Sequence, residues 1–491
     1  MLTLCILVPL LGALALAAIP SIRESTARTI AIAVTAVPLL LLLVVWAGFA
    51  PGAGFQSVAE ARWIPSLGIA WRVGVDGMSL SLSLLTGVVF LAAVAWPMAD
   101  LPRARAYYAW FAFLYAVSLG LFVTLDLILF YVFFDLSLVG MYFLIGRWGH
   151  GEAQAAALKF FVYTLAGSLL ILIGIIALAL SMPEITFDMR AIIAAAPLAA
   201  AGLPAALVLL GLFVGFGIKT PLFPVHTWLP PAHVNAPGPV SAILAGVLLK
   251  MGTYGLVRLA LQMMPQTFVD WALPLGVVAV ISILWGAIVA LGQDDLKRRI
   301  AYTSVNHMGY AVLGIAVAGS AMGTQAARDI ALTGAVVEMI AHGLITGALF
   351  LIAGAIWQRH QDYDMAAYGG LAGVAPRLTG ATTLAAFASL GLPGLAGFVA
   401  ELHIFLGAFA VYPWLAAIGL LGILITAALF LQLLGRVFFG ALPAARTGFA
   451  DLTRIELGIL AGLLGLVVLI GVWPIWLLEM IGTAPVAVAG G

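Results

Sequence analysis

The chain has 491 residues, of which 64% are hydrophobic and 8% charged, and its formal net charge is +1. A soluble domain carries about a quarter charged residues, so this balance excludes an aqueous globular fold; the near-zero charge offers no basic face for nucleic acid and no acidic tail. Cys5 is the only cysteine, which excludes an internal disulfide, a CxxC metal site and an iron–sulfur cluster held by this chain.

A helix crossing hydrocarbon needs about 20 mostly apolar residues, and such runs follow one another almost from Met1 to the end. The first begins with no basic segment before it and no small-residue cleavage pattern before Ser21, so it reads as a retained span. Cutting at charged or Pro/Gly-rich breaks gives about 14 spans. They start near Leu2, Ala27, Met78, Tyr107, Leu127, Ala155, Ala205, Pro239, Trp271, Arg299, Arg328, Gly380, Tyr412 and Ile455. The expected fold is an all-α polytopic membrane protein. An even count puts both termini on one side, and the retention of Lys and Arg in short cytoplasmic loops selects the outer side for them. With that choice 14 of the 21 basic residues face the cytoplasm, among them Arg147, Lys159, Lys297, Arg298, Arg299, Arg359 and Arg377.

Two of the spans are interrupted. Lys219-Thr220-Pro221-Leu222-Phe223-Pro224 breaks the seventh, and Leu392-Pro393-Gly394 with Gly397 breaks the twelfth. The breaks lie five spans apart. Units with an odd number of spans, set end to end, have opposite topology, as in transporters built from inverted repeats with broken helices near the midplane. Pro and Gly also occur in membrane helices for packing reasons alone.

Each charge held at the bilayer centre costs at least about 2.5 kcal/mol, so several in one chain require partners or a function. Asp135, Lys219, Lys250, His307, Glu338, His342 and Glu401 all fall inside spans. Acids, lysines and histidines are the groups whose proton affinity burial and neighbouring charge move towards neutrality, which makes them the vocabulary of a proton relay. A buried lysine near a carboxylate can hold a proton and release it when the carboxylate is neutralised or withdrawn; arginine cannot. The structural alternatives are a packing pair between Asp135 and Lys219, a snorkelling Lys250, ordinary buried histidines, and a local Glu338–His342 pair at i and i+4. Asp126 and Arg258 fall near span ends. His226 and His233 flank a Trp-Leu-Pro-Pro turn without further clustered ligands, so no metal site is expected.

Longer strings carry a resemblance. Asp76-Gly77-Met78-Ser79-Leu80, Met141 to Ile145, Lys159 to Thr164, KTPLFPVHTWLPPAH from Lys219 to His233, Leu248-Leu249-Lys250, Asp295 to Ser304, Met339 to Gly343 and Gly397 to Glu401 run nearly the length of the chain. Together they resemble the M subunit (chain 4) family of NADH:quinone oxidoreductase, respiratory complex I. The resemblance implies 14 transmembrane helices with two inverted five-helix repeats, each with a broken helix. The corresponding divisions are residues 1–105 for three N-terminal helices, 106–265 and 266–440 for the repeats, and 441–491 for the last helix. It implies outward proton transfer in the inner membrane through Asp135 and Lys219 as an acid–lysine pair, Lys250 as the central lysine, His307 and His342 as connecting sites, and Glu401 towards the exit. Glu338 is a further candidate.

The same resemblance implies no cofactor in this chain; NADH, flavin, iron–sulfur clusters and quinone belong to other subunits, and the partners are the neighbouring membrane-arm subunits and lipid. Related assemblies would be a multi-component sodium/proton antiporter, or the membrane arm of an energy-converting hydrogenase or formate-oxidising complex. The sequence departs from the family pattern at Asp135, where Glu is usual, at Pro231 in place of Asp, at Gly140 in place of a common proline, and at Glu338, a position more often neutral. These departures suggest a divergent or second-copy version of the complex.

Overall fold

A computed structural model of the chain describes residues 1–19, 22–98, 101–199 and 202–482. Ser21 and residues 483–491 of the C-terminal division lie outside the described residues. The chain opens with α1 (Leu2–Ala18) and α2 (Glu24–Ala47). An antiparallel hairpin follows, β1 (Gln56–Ile64) with β2 (Ile69–Val75), paired from Gln56 opposite Val75 to Ile64 opposite Ile69 with the register shifting between Gln56 and Ala59 and between Arg62 and Ile64. This hairpin corrects the all-α expectation. Its strands, QSVAEARWI and IAWRVGV, are too short and polar for a span, and the extended segment pairs its backbone groups with its neighbour instead.

Five helices come next: α3 (Gly77–Ala95), α4 (Ala104–Val123), α5 (Leu127–Trp148), α6 (Ala153–Leu180) and the short α7 (Met189–Ala195). Asp76 caps α3 by accepting from Ser79 N at 3.0 Å, and Asp126 caps α5 by accepting from Ile128 N at 3.0 Å. Both carboxylates also hold an arginine. Asp126 Oδ2 accepts from Arg72 at 2.7 Å, and Asp76 Oδ1 from Arg258 at 2.5 Å. These caps pin helix ends to the hairpin and to the middle of the bundle, satisfying backbone donors that lipid cannot.

The first interruption follows. α8 (Leu203–Lys219) stops at the lysine, residues 220–228 are non-helical, and α9 (Leu229–Asn235) resumes. The next span, Gly238–Leu261, is helical but uneven: α10 (Gly238–Ile243) and α11 (Lys250–Gly255) are separated by a π-helical turn at Leu244–Leu248, and a second π turn covers Leu256–Leu261. α12 (Pro265–Leu291), α13 (Leu296–Ala318) and the 36-residue α14 (Gln325–His360) come next. The second interruption separates α15 (Pro376–Ser389) from α16 (Ala396–Val411), and α17 (Pro413–Phe438), α18 (Arg454–Val472) and α19 (Ile475–Ile481) complete the described chain.

Among the described residues, ten helical runs are long and apolar enough to cross a membrane, with three shorter apolar helices, Leu2–Ala18, Leu203–Lys219 and Ala396–Val411. The chain is a mostly helical, multi-pass membrane protein. Gly238–Leu261 and α14 bury the whole of their most apolar windows, whereas α2 and α18 bury only about a third of theirs. The outer helices therefore expose leucine and valine to lipid, and the enclosed ones are free to carry polar groups that never meet it.

Candidate functional site

Lys219 ends α8, in the turn where unpaired carbonyls favour a cation. Its ammonium is buried, donates to Ser137 Oγ at 3.2 Å and lies over the rings of Phe134 and Phe160, 5.0 and 5.9 Å from their centroids. Asp135, two residues before Ser137, is within electrostatic reach of Lys219 but makes no ion pair with it within 4.0 Å, and its buried Oδ1 has no partner among the described residues. The direct acid–lysine pair expected from sequence is thus replaced by a hydroxyl contact.

Lys250 follows on the neighbouring span, and glycines explain how close the two lysine-bearing segments come. A Cβ on Gly252 would sit 2.4 Å from Thr220 Oγ1, and one on Gly255 would sit 2.1 Å from the Phe216 ring, so only glycine lets α11 lie against the break of α8. Lys250 begins α11 directly after a π turn in which Leu249 N bonds Leu244 O. Such a turn widens the helix and loosens its carbonyls. The Lys250 ammonium takes one of them, Ala245 O, and donates to His342 Nδ1 at 2.5 Å. It is fully enclosed and does not snorkel.

His342 and Glu338 share a face of α14 but do not bond each other; each reaches a different helix. His342 meets Lys250, while Glu338 Oε1 meets His307 Nδ1 of α13 at 3.0 Å. His307 uses its other nitrogen as well, with Nε2 2.9 Å from Ser389 Oγ, the last residue of α15 before the second break. The two histidine rings lie 5.6 Å apart. His342 Nε2 and Glu338 Oε2 are buried without a protein partner among the described residues, a costly arrangement for a dry site and an inexpensive one where water reaches.

Beyond the break, Glu401 on α16 is buried and folds back towards it. A Cβ on Gly391 would come 2.1 Å from Glu401 Oε2, and Gly391 has φ +75°, so glycine serves there both as the left-handed residue and as the floor under the carboxylate. The sites named from sequence therefore separate into groups: Lys219 with Asp135 nearby, Lys250 with His342, His307 with Glu338, and Glu401 at the second break.

Several partners were not visible in the sequence. Ser137 and Ser389 supply hydroxyls at the two breaks. Lys297, counted as a loop charge, lies in the first turn of α13 and is fully buried; its ammonium donates to Ala236 O and sits 5.3 Å from the Tyr363 ring centroid. Arg299 is likewise buried, donating to the carbonyls of Leu291, Gln293 and Leu429. His233, fully buried, stacks on Phe350 at 4.3 Å, while His226 Nε2 accepts from Trp285 Nε1 at 3.2 Å, so the two histidines of the turn serve separate neighbours.

Residues 124–426 match the family model described as NADH:quinone oxidoreductase/Mrp antiporter, transmembrane. A relative from Thermosynechococcus vestitus, NAD(P)H-quinone oxidoreductase chain 4, is 39% identical over 89% of this chain and 82% of its own length. NADH-quinone oxidoreductase subunit M of Rhodobacter capsulatus is 37% identical over 94% of this chain and 90% of its own. Among solved structures, a chain of respiratory complex I from Thermus thermophilus with bound NADH superposes with a TM-score of 0.88 at 29% identity, covering 100% of both chains. The matched region contains Asp135, Lys219, Lys250, His307, Glu338, His342 and Glu401 alike. The chain belongs to the NADH:quinone oxidoreductase/Mrp antiporter family of membrane proteins.

Proposed function

We propose that this chain is a proton-translocating membrane-arm subunit of an NADH:quinone oxidoreductase, moving protons outward along a buried axis of Asp135, Lys219, Lys250, His342, His307, Glu338 and Glu401. The observation that carries the proposal is the contact between helices at the centre of the bundle: Lys250 to His342, then His307 to Glu338 and Ser389, ending at a break that holds Glu401. Every member is a group that gives up or takes a proton, or a hydroxyl that passes one. Packing alone needs no such chain, because apolar side chains of similar volume fill a bundle at lower desolvation cost.

In this scheme a proton resides on Lys219 or Lys250 and moves when the charge of a neighbouring carboxylate changes. The breaks at 220–228 and 390–395 supply irregular backbone that tolerates hydration at membrane depth only because protein surrounds it. Fourteen crossings follow if the ten long apolar runs are joined by the three shorter apolar helices and by α13, whose polar face is turned inward. The two breaks then sit in corresponding members of two inverted five-helix repeats, within 106–265 and 266–440, and both termini lie on the periplasmic side of the inner membrane. Redox centres, NADH and quinone reside in partner subunits, and the neighbouring antiporter-like subunits flank this chain.

The direct test is proton pumping by the assembled complex in sealed vesicles. Lys219→Ala and Glu401→Ala should each suppress quinone-dependent acidification while the complex still assembles. Undiminished pumping in either variant rejects that residue's assignment.

A further inference from the structure

A cleft of about 440 Å³ lies between α2, α3, α14, α18 and α19. Its walls are aliphatic, including Leu39, Leu84, Leu344 and Leu466, and its one hydroxyl, Ser81 Oγ, is already bonded to Met78 O at 2.9 Å. Nothing in such walls holds water, and apolar cavities stay dry. A void of this size also forfeits the dispersion contacts of every atom lining it. Exposed apolar residues stand directly beside its lining in sequence: Leu40 on α2 is 60% exposed and Val472 on α18 is 71% exposed.

We propose that the cleft is a binding site for one acyl chain of a membrane glycerolipid. The mouth lies where α2 and α18 end and α3 begins, marked by Trp46, Trp473 and Trp476, residues that favour the membrane–water boundary. On α3 the lining runs from Ser81 to Val88, seven residues and so about 10 Å, which fits within the half-thickness of a hydrocarbon core about 30 Å thick. At the mouth Trp46 and Trp476 meet edge to face at 5.7 Å, and Trp476 Nε1 is buried with no partner among the described residues.

The site touches the centre of the molecule. Ile340 and Leu344 form one wall; at 100° per residue Ile340 points about 160° away from both Glu338 and His342 on the same helix, and Leu344 about 160° from His342 and about 120° from Glu338. The bound chain packs on the back of the segment whose front carries those two groups. This placement follows from the cleft alone and stands whether or not α14 relays protons.

The test is photo-crosslinking of the purified complex in phosphatidylethanolamine vesicles containing a phosphatidylcholine with a diazirine at mid-chain, followed by peptide mass spectrometry. Adducts are expected on Leu84, Leu344 and Leu466 as well as on outward residues such as Leu424. Filling the cleft with Leu84→Trp, or with Leu466→Trp from the opposite wall should the first fail to assemble, removes the cleft adducts and leaves the outward ones. Adducts confined to outward residues of the native protein, or cleft adducts that persist in the filled variant, overturn the proposal.

Discussion

The two broken helices solve different problems with the same device. At the first, a lysine stands at the end of a half-helix among aromatic rings, with one hydroxyl as its direct partner and a carboxylate held off. At the second, the half-helix before the break ends in Ser389, already tied through His307 to Glu338, and the acid Glu401 folds back from the half-helix beyond. The first break isolates a charge; the second terminates a network. An isolated ammonium is sensitive to any change in the position of a nearby carboxylate, because little else compensates it. In the proposed relay, a networked histidine would hand on a change that reaches it.

The largest expected effect distinguishes charge from proton exchange at the first break. Lys219→Arg retains the cation and the C-terminal helix position but cannot release a proton at any accessible pH. Pumping should fall by about a hundredfold or more, the contribution of a positioned proton-transfer group, with assembly intact. Near-native pumping with arginine would reduce Lys219 to a packing cation and erase the contrast between the breaks.

At the second break, His307→Ala should lower both pumping and stability, since it removes the partner of Glu338 Oε1 and of Ser389 Oγ together. Leaving a buried acceptor unpaired costs about 1 to 3 kcal/mol. Thermal unfolding of the purified complex reads that loss directly; an unchanged transition would mean that the network is loosely hydrated and carries no structural load. Gly391→Ala is a narrower probe of the same region. The new Cβ meets Glu401 Oε2, and an L-residue at φ +75° is strained by about 1 to 2 kcal/mol. Displacing the carboxylate by about 1 Å should reduce pumping by about tenfold, within the range that misplaced reacting groups show. Gly448→Ala, with open space around it and ordinary backbone, should be silent by comparison.

The same contrast explains what the sequence disclosed. A charge inside a long apolar run is conspicuous, so Asp135, Lys219, Lys250 and Glu401 could be picked out one by one, and the proline-rich and glycine-rich strings marked both interruptions. Partner choice was not legible. Glu338 and His342 look like an i, i+4 pair, yet each is claimed by a residue far away in sequence, and only packing decides that. Ser137 and Ser389 were invisible for another reason: hydroxyls in helices ordinarily bond their own backbone and signal nothing. Lys297 was misread because a basic residue at a span end resembles an interfacial charge, although here the surrounding loops close over it. The hairpin at 56–75 was lost because its strands are short and its polar residues resemble a connecting loop.

The smallest expected effect is also the most informative about the first break. Asp135→Glu lengthens the arm by one methylene and brings the carboxylate towards the Lys219 ammonium, which at present has only Ser137 Oγ within hydrogen-bond reach. A charge-assisted contact is roughly twice as strong as the neutral hydroxyl bond it would join or replace, so the lysine should hold its proton more firmly. Release then depends more steeply on the carboxylate moving away. The ratio of protons pumped to NADH oxidised should change by no more than about threefold, the equivalent of under 1 kcal/mol. Measuring it in vesicles beside Asp135→Asn, which removes the charge altogether, separates the two contributions. If glutamate and asparagine behave alike, position 135 does not act on Lys219 at all, and the ammonium at the first break is governed by its aromatic surroundings alone.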